Sequence, residues 1–319
     1  MEILVPGLWL VFGIAILVIA GDLLVRGSAA LAKGLGIPTL IIGLTVVALG
    51  TSAPEMVVSV GAVLVGAPSL AVGNVIGSNI ANMLLVLGLP AIILPITTTA
   101  PGTRRNIAIA IAATIIFYLM AIGGKIVFWQ GAVLFALIVI YLLYLFLHAK
   151  SGAKIAEVID AEQLDGLPAS RLRILMFILA GLVGLPLGGY LVGQNAIDIA
   201  ETLHVSDAII GLTIVAIGTS LPELATSVIA AVRGHSELAI GNAFGSNIFN
   251  IFAVGGASAM TGTLPIDSSL MEFDLPIMLA ATVLLGLFVF ARKPIGRWAG
   301  FLIFFSYIAY LTWLVVKVA

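Results

Sequence analysis

Apolar stretches of bilayer length recur along almost the whole chain, separated by short polar or charged breaks. A transmembrane helix needs about 20 predominantly apolar residues. By that measure the pattern predicts ten spans, over 3–25, 37–65, 70–95, 105–123, 126–148, 172–193, 206–232, 239–260, 272–291 and 297–317. The breaks fall at Arg26–Lys33, Arg104–Arg105, Lys150–Arg171 and Arg292–Arg297, with shorter turns elsewhere. The first stretch has no basic leader and is long for a signal sequence, so it reads as a retained span. The one long polar connection, 149–170, is expected to be a short cytoplasmic linker between a first five-helix half, 1–148, and a second, 171–319.

Composition agrees with this pattern. Of 319 residues 61% are hydrophobic and only 9% charged, too little polar surface for a soluble domain of this length. A net charge of −1 gives no reason to expect nucleic acid as a partner, and nothing in the sequence calls for an obligate protein partner. The absence of cysteine excludes disulfides, thiol catalysis and thiolate-bound metal. Placing both termini outside puts twelve Lys and Arg residues on the inner side and only Lys125 and Lys317 on the outer. The outer loops are then acidic, with Asp198, Glu201 and Asp207 in one and Asp267, Glu272 and Asp274 in another. They read either as solvated loop charges or as attractants for cations. Asp22 and Arg26, four residues apart, read as a local ion pair.

The chain also repeats itself. Residues 43–88 align without gaps to 211–256 at a constant offset of 168, with 25 identities in 46 positions. Shared hydrophobicity does not align Gly, Pro, Glu and Asn, so this is a duplication. Five spans per half is an odd number, and the second half therefore enters the membrane inverted.

The polar residues of the repeat are its candidate chemistry. Each copy carries Gly-Thr-Ser-x-Pro-Glu deep in a span: Gly50 to Glu55 and Gly218 to Glu223. Proline has no N–H and clashes with the carbonyl four residues back. Pro54 is therefore expected to release Gly50, and Pro222 to release Gly218. Neighbouring carbonyls, Ala48 to Thr51 and Ala216 to Thr219, are expected to turn out of the helix. Such carbonyls are tolerated at membrane depth only within protein or against a polar cavity. Carboxylates there are costly and mark function by default. The partner segments are Gly77 to Asn82 and Gly245 to Asn250, with Ser78 and Asn82, and Ser246 and Asn250, on one face. Every candidate ligand is an oxygen, which suits hard cations such as Ca²⁺ and excludes sites that want imidazole or thiolate. Two glutamates supply −2, which matches one Ca²⁺ or two Na⁺.

These residues resemble the calcium/cation antiporter superfamily, specifically its sodium/calcium exchangers. GTSAPE with GNVIGSNIAN is similar to the family's first alpha repeat, and GTSLPE with GNAFGSNIFN to its second. The resemblance implies an all-α polytopic membrane protein of two inverted five-helix repeats, with discontinuous helices at the ion site. It implies electrogenic exchange of Na⁺ for Ca²⁺ by alternating access in the plasma membrane of a prokaryote. It further implies that Glu55 and Glu223, with the carbonyls of Thr51 and Thr219, bind Ca²⁺. Ser52, Ser220, Ser78 and Ser246, the Thr51 and Thr219 hydroxyls and the Ala48 and Ala216 carbonyls would serve Na⁺, with Asn82 and Asn250 completing the centre. Asn250 stands where potassium-dependent relatives carry Asp, which speaks against potassium cotransport. The first and sixth spans, rich in glycine, are expected to slide together past a core that holds the site.

Other readings compete with these. Proton-driven exchange uses the same carboxylates. A channel could also carry inverted repeats. An intramembrane enzyme lacks support, because no Ser/His, Ser/Lys or paired Asp arrangement lies in the apolar core. No catalytic or cofactor-binding residue is assigned. The asparagines, Asn74, Asn79, Asn242 and Asn247 above all, also read as interhelical glue, and the repeated glycines as packing.

Overall fold

The computed structural model describes residues 3–148, 167–168, 170–203 and 216–318. The 149–170 linker and the first part of the seventh expected span, 206–215, thus fall mostly outside the described residues. The chain is helical throughout. Helix α1 covers Leu4–Leu35. Helices α2, Thr39–Thr51, and α3, Ala53–Leu64, are the two arms of one broken span, bent by 42°. Helix α4 covers Pro68–Ile93 with a turn at 85–87, α5 covers Thr103–Ala121, and α6 covers Phe128–His148. In the second half α7 covers Arg171–Thr202, α8 Ala216–Thr219, α9 Leu221–Val232, α10 Ser236–Thr261, α11 Leu270–Phe290 and α12 Arg297–Val318. Among the described residues, eight helices are long and apolar enough to cross a bilayer, and the α2–α3 pair makes a ninth. Helices α8 and the apolar α9 carry the described remainder of the seventh expected span.

Two boundaries differ from the sequence reading. The charged stretch Arg26–Lys33, expected to interrupt the first span, is helical, and α1 ends only at Gly36. There φ is 64°, the Gly36 N–H reaches Lys33 O at 3.1 Å and the Ile37 N–H reaches Ala32 O at 3.0 Å. Only glycine adopts that left-handed turn without cost. Likewise α7 runs past residue 193 to Thr202. Local charge did not end these helices, because a helix leaving the bilayer keeps its backbone bonds in water as well. At 32 residues each is about 48 Å long, well beyond the roughly 30 Å hydrocarbon layer.

Burial sorts the helices into a centre and a periphery. The apolar windows of α4 and α10 are 78% and 94% buried, against 22–44% for the other single helices that pass the span test. These two carry the Gly-Ser-Asn segments, so the repeats' polar motifs occupy the middle of the molecule. Short backbone bridges tie the periphery together: Lys125–Ile126 pairs antiparallel with Leu264–Pro265, and Ile96 with Ile295. Adding the repeat offset of 168 carries Ile96 onto Leu264 and Ile126 onto position 294, one residue from Ile295. The two bridges are thus images of each other under exchange of the halves.

Helices α1 and α7 form the most extensive helix pair among the described residues. Close approach requires glycine here. A Cβ on Gly181 would meet Leu24 Cα at 2.9 Å and Ala20 O at 3.0 Å, and one on Gly27 would meet Ile178 N at 3.1 Å. These glycines therefore fasten α1 to α7 rather than smoothing a face toward the core. Gly21, Gly189 and Gly193 look toward the core, against Ala225 and Pro222 of α9 and Gly218 of α8. Within its length α1 is tied to the core by Asp22. Its carboxylate accepts from Arg233 Nε at 2.8 Å, beyond α9, and from Arg26 at 3.5 Å within α1. Sequence spacing indicates only the second pair.

Overpacking a tight helix contact costs about 1–3 kcal/mol. Gly181→Val is expected to lower the unfolding midpoint of the purified protein, whereas Gly7→Ala, with nothing within 4 Å of its added carbon, leaves it unchanged. Equal midpoints for both variants in a detergent thermal-shift series would contradict the close α1–α7 contact.

Candidate functional site

Each repeat breaks its motif helix at the Ser of Gly-Thr-Ser. Ser52 has φ −86° and ψ 5°, Ser220 φ −88° and ψ 2°, and a new helix starts at the next residue. Pro54 and Pro222 thus sit in the first turn of α3 and α9, where a missing N–H costs nothing. The C-terminal carbonyls of α2 and α8 face the break from one side, and the N-termini of α3 and α9 from the other. Glu55 and Glu223 stand in those first turns, where the helix dipole favours an anion. Pro54 leaves the Gly50 carbonyl without its helical donor, as the sequence indicates. The Ala48 carbonyl, expected to turn out of the helix, instead accepts the Ser52 N–H at 3.0 Å and keeps one lone pair. Ala216 opens the described part of α8.

The two breaks meet in the middle of the molecule. Glu55 is 1% exposed and Glu223 fully buried, near enough for their like charges to interact. Ser52 Oγ donates to Glu223 Oε1 across the repeats at 3.0 Å. Its counterpart Ser220 makes no such bond: among the described residues, Ser220 Oγ and both Glu55 oxygens have no hydrogen-bond partner. The same holds for Glu223 Oε2, Ser78 Oγ, both side-chain polar atoms of Asn82 and both of Asn250. Ser246 Oγ lies beside the Glu223 carboxylate without reaching hydrogen-bond geometry. Asn250 opens a π-helical turn, Asn250–Gly255, that widens α10 where it borders the site.

This concentration is chemically specific. Buried polar atoms are almost always paired, and each orphan needs a reason. Here most orphans among the described residues belong to one set of oxygens and amides flanking two buried carboxylates. Among the described residues no three His, Asp or Glu side chains cluster, so the set holds two acids and otherwise neutral groups. It suits a hard cation that takes carboxylate, hydroxyl, amide and carbonyl oxygens together.

From the sequence, Asn74 and Asn242 read as interhelical glue, and Ser59 and Ser227 are not singled out. Asn74 Nδ2 donates to Glu55 O at 3.3 Å and to Ser59 Oγ at 2.9 Å, while Asn242 Nδ2 donates to Glu223 O at 3.1 Å and Ser227 Oγ at 3.0 Å. Thr219 Oγ1 donates to Asn74 Oδ1 at 3.4 Å, and Thr51 Oγ1 to Asn242 Oδ1 at 3.2 Å. Ser59 and Ser227 carried a readable signal: both are the fourth residue after the glutamate, identical in both copies. By contrast, Asn247 donates to Asn79 O at 3.2 Å and Asn79 to Val75 O at 2.6 Å, which joins and braces α4 and α10. Asp274, expected in an acidic outer loop, is buried and accepts from Tyr310 at 2.6 Å. Asp207 lies outside the described residues.

Known proteins share this architecture over nearly the whole chain. The sodium/calcium exchanger protein family matches residues 6–147 and 173–316. The inner membrane protein YrbG of Escherichia coli is 36% identical, with 96% of each chain covered. The sodium/calcium exchanger MaX1 of Methanosarcina acetivorans is 32% identical, over 95% of this chain and 96% of its own. A structure of the sodium-calcium exchanger NCX_Mj, soaked with Na⁺ and Sr²⁺, superposes with a TM-score of 0.84 at 32% identity, covering 97% of this chain and 98% of that one. The chain is an integral membrane protein and belongs to the sodium/calcium exchanger protein family, whose members are cation antiporters and not enzymes.

Proposed function

We propose that this antiporter exchanges Na⁺ for Ca²⁺ at one central site. The observation that carries the reading is the set of buried oxygens without partners around Glu55 and Glu223. Ca²⁺ takes both carboxylates and the Thr51 and Thr219 carbonyls. Na⁺ takes the hydroxyls of Thr51, Thr219, Ser52, Ser220, Ser78 and Ser246 and the carbonyls of Ala48 and Ala216. Asn82 and Asn250 complete the centre. Two carboxylates neutralise one Ca²⁺ or two Na⁺, so the ions compete for the same charge, and competition is what exchange requires. MaX1 and NCX_Mj both carry the name of sodium/calcium exchangers, which supports the same pair of ions.

Alternating access then moves α1 and α7 as one body past the central helices. Their glycine contacts with each other support a joint movement, and the small patch at Gly21 and Gly189 suits a sliding boundary with α9. In this reading residues 1–148 and 171–319 are the two inverted halves, joined by a cytoplasmic linker, with both termini outside. The printed name of YrbG supports an inner-membrane location.

The test is Ca²⁺ flux in proteoliposomes under an imposed Na⁺ gradient. Glu55→Gln or Glu223→Gln is expected to reduce it by about 100- to 1,000-fold or more, because an unmatched buried charge costs about 3–5 kcal/mol. Normal flux in either purified variant would remove the assigned site. Flux driven by a pH gradient and indifferent to Na⁺ would reassign the coupling ion to H⁺. If more than two Na⁺ exchange for each Ca²⁺, inside-positive potential accelerates Ca²⁺ entry, since one charge across 100 mV is worth about 2.3 kcal/mol. Flux unaltered by a valinomycin-clamped potential would indicate electroneutral exchange instead.

A further inference from the structure

Four side chains outside the ligand set form a crossed hydrogen-bond pattern. Asn242 holds its own repeat through Glu223 O and Ser227 Oγ, and the opposite repeat through Thr51 Oγ1. Asn74 does the same in mirror image, with Glu55 O and Ser59 Oγ on its own side and Thr219 Oγ1 on the other. Hydrogen-bond chemistry fixes the direction of these bonds. A backbone carbonyl only accepts, so the amide nitrogen must face Glu223 and the amide oxygen must face Thr51. Thr51 is then the donor. Its other neighbours are Val47 O at 3.1 Å, Ala48 O at 3.4 Å and the Glu223 carboxylate, acceptors as well. With its proton directed to the protein, the hydroxyl oxygen keeps its lone pairs for a cation.

We infer that Asn242 and Asn74 are crossed positioning residues: each presents the opposite repeat's threonine hydroxyl to Na⁺ and registers it against the glutamate of its own repeat. The inference rests on the cation-site reading above, and it adds a link between the half-sites. One amide group connects Thr51 to the Glu223 backbone, so a cation on the hydroxyl of one repeat bears on the carboxylate-bearing turn of the other. Chains of hydrogen bonds in a low dielectric polarise one another in this way. The same geometry gives Asn242 no route to Thr219, and Asn74 none to Thr51, among the described bonds.

Double-mutant cycles read this directly. Loss of one buried hydrogen bond is expected to raise the Na⁺ concentration for half-maximal Ca²⁺ efflux roughly 5-fold in Asn242→Ala and in Thr51→Val. The Ca²⁺ dependence changes less. If Asn242 acts through Thr51, the double variant Asn242→Ala/Thr51→Val shows no more than the single loss. Asn242→Ala/Thr219→Val shows the two losses multiplied, about 25-fold. The mirror pair, Asn74 with Thr219 against Asn74 with Thr51, gives the same crossed result. A role confined to packing would instead lower Na⁺ and Ca²⁺ affinity together and show no crossed preference. Losses that multiply for Asn242 with Thr51 overturn the inference. Na⁺-induced stabilisation of the detergent-solubilised protein against heat supplies a second readout that does not depend on transport. If wild-type flux ignores Na⁺, the cation-site reading falls, while a crossed pattern in cation-induced stabilisation still decides the positioning role. Should alanine at 242 prevent folding, Asn242→Ser and the Asn74 cycle carry the same comparison.

Discussion

Two carboxylates buried within reach of each other's charge in a membrane protein are the constraint on which the rest depends. Neither Glu55 nor Glu223 has a basic partner among the described ion pairs, which involve only Asp22, Arg26 and Arg233. The charge of an uncompensated buried carboxylate costs several kcal/mol after relaxation. The protein lowers that cost with fixed dipoles: helix N-termini at α3 and α9, the Ser52 hydroxyl on Glu223, and a ring of neutral oxygens and amides. It stops short of full compensation: both Glu55 oxygens and Glu223 Oε2 have no hydrogen-bond partner among the described residues. A lysine or arginine in the same place would have stabilised the fold and closed the site.

Duplication supplies the geometry. Inverting one five-helix unit against another brings two helix breaks together, so two modest polar motifs make one site of twice the charge. The images are not identical. Ser52 bonds to Glu223, whereas Ser220 leaves Glu55 alone, and only the second repeat widens its central helix into a π turn at Asn250.

The central helices and the α1–α7 pair divide the work by packing. Around the site α4 and α10 are almost wholly buried and cross-braced by side-chain bonds such as Asn247 to Asn79. The outer pair is long, exposed to lipid on one side and fastened to itself by glycine. It meets the core through an apolar cluster that joins Leu17, Leu24 and Ile178 to Ile42, Val47 and Leu238, through small-residue contacts at Gly21 and Gly189, and through the Asp22–Arg233 pair. The contact between the two bodies is apolar and small-residue-rich with a single described ion pair, whereas the core is cross-braced by polar side-chain bonds.

Much of this was legible in the residues themselves. Hydropathy marks spans because a bilayer tolerates only apolar, internally bonded segments. The duplicated Gly-Thr-Ser-x-Pro-Glu and Gly-Ser-Asn segments marked the polar centre, because polar groups at that depth have few reasons to exist. Three features required the tertiary structure. Helix ends at Leu35 and Thr202 were hidden, since charged residues outside the hydrocarbon layer do not oblige a helix to stop. The glycines of α1 and α7 were visible, but not the partner they faced, because a smooth helix face looks the same whether it slides or locks. Above all, no sequence spacing reveals that Asn242 reaches Thr51, 191 residues away, or that Ser52 reaches Glu223. One-dimensional patterns record which groups are costly to bury. Only the folded arrangement of two inverted copies decides which of those groups face one another.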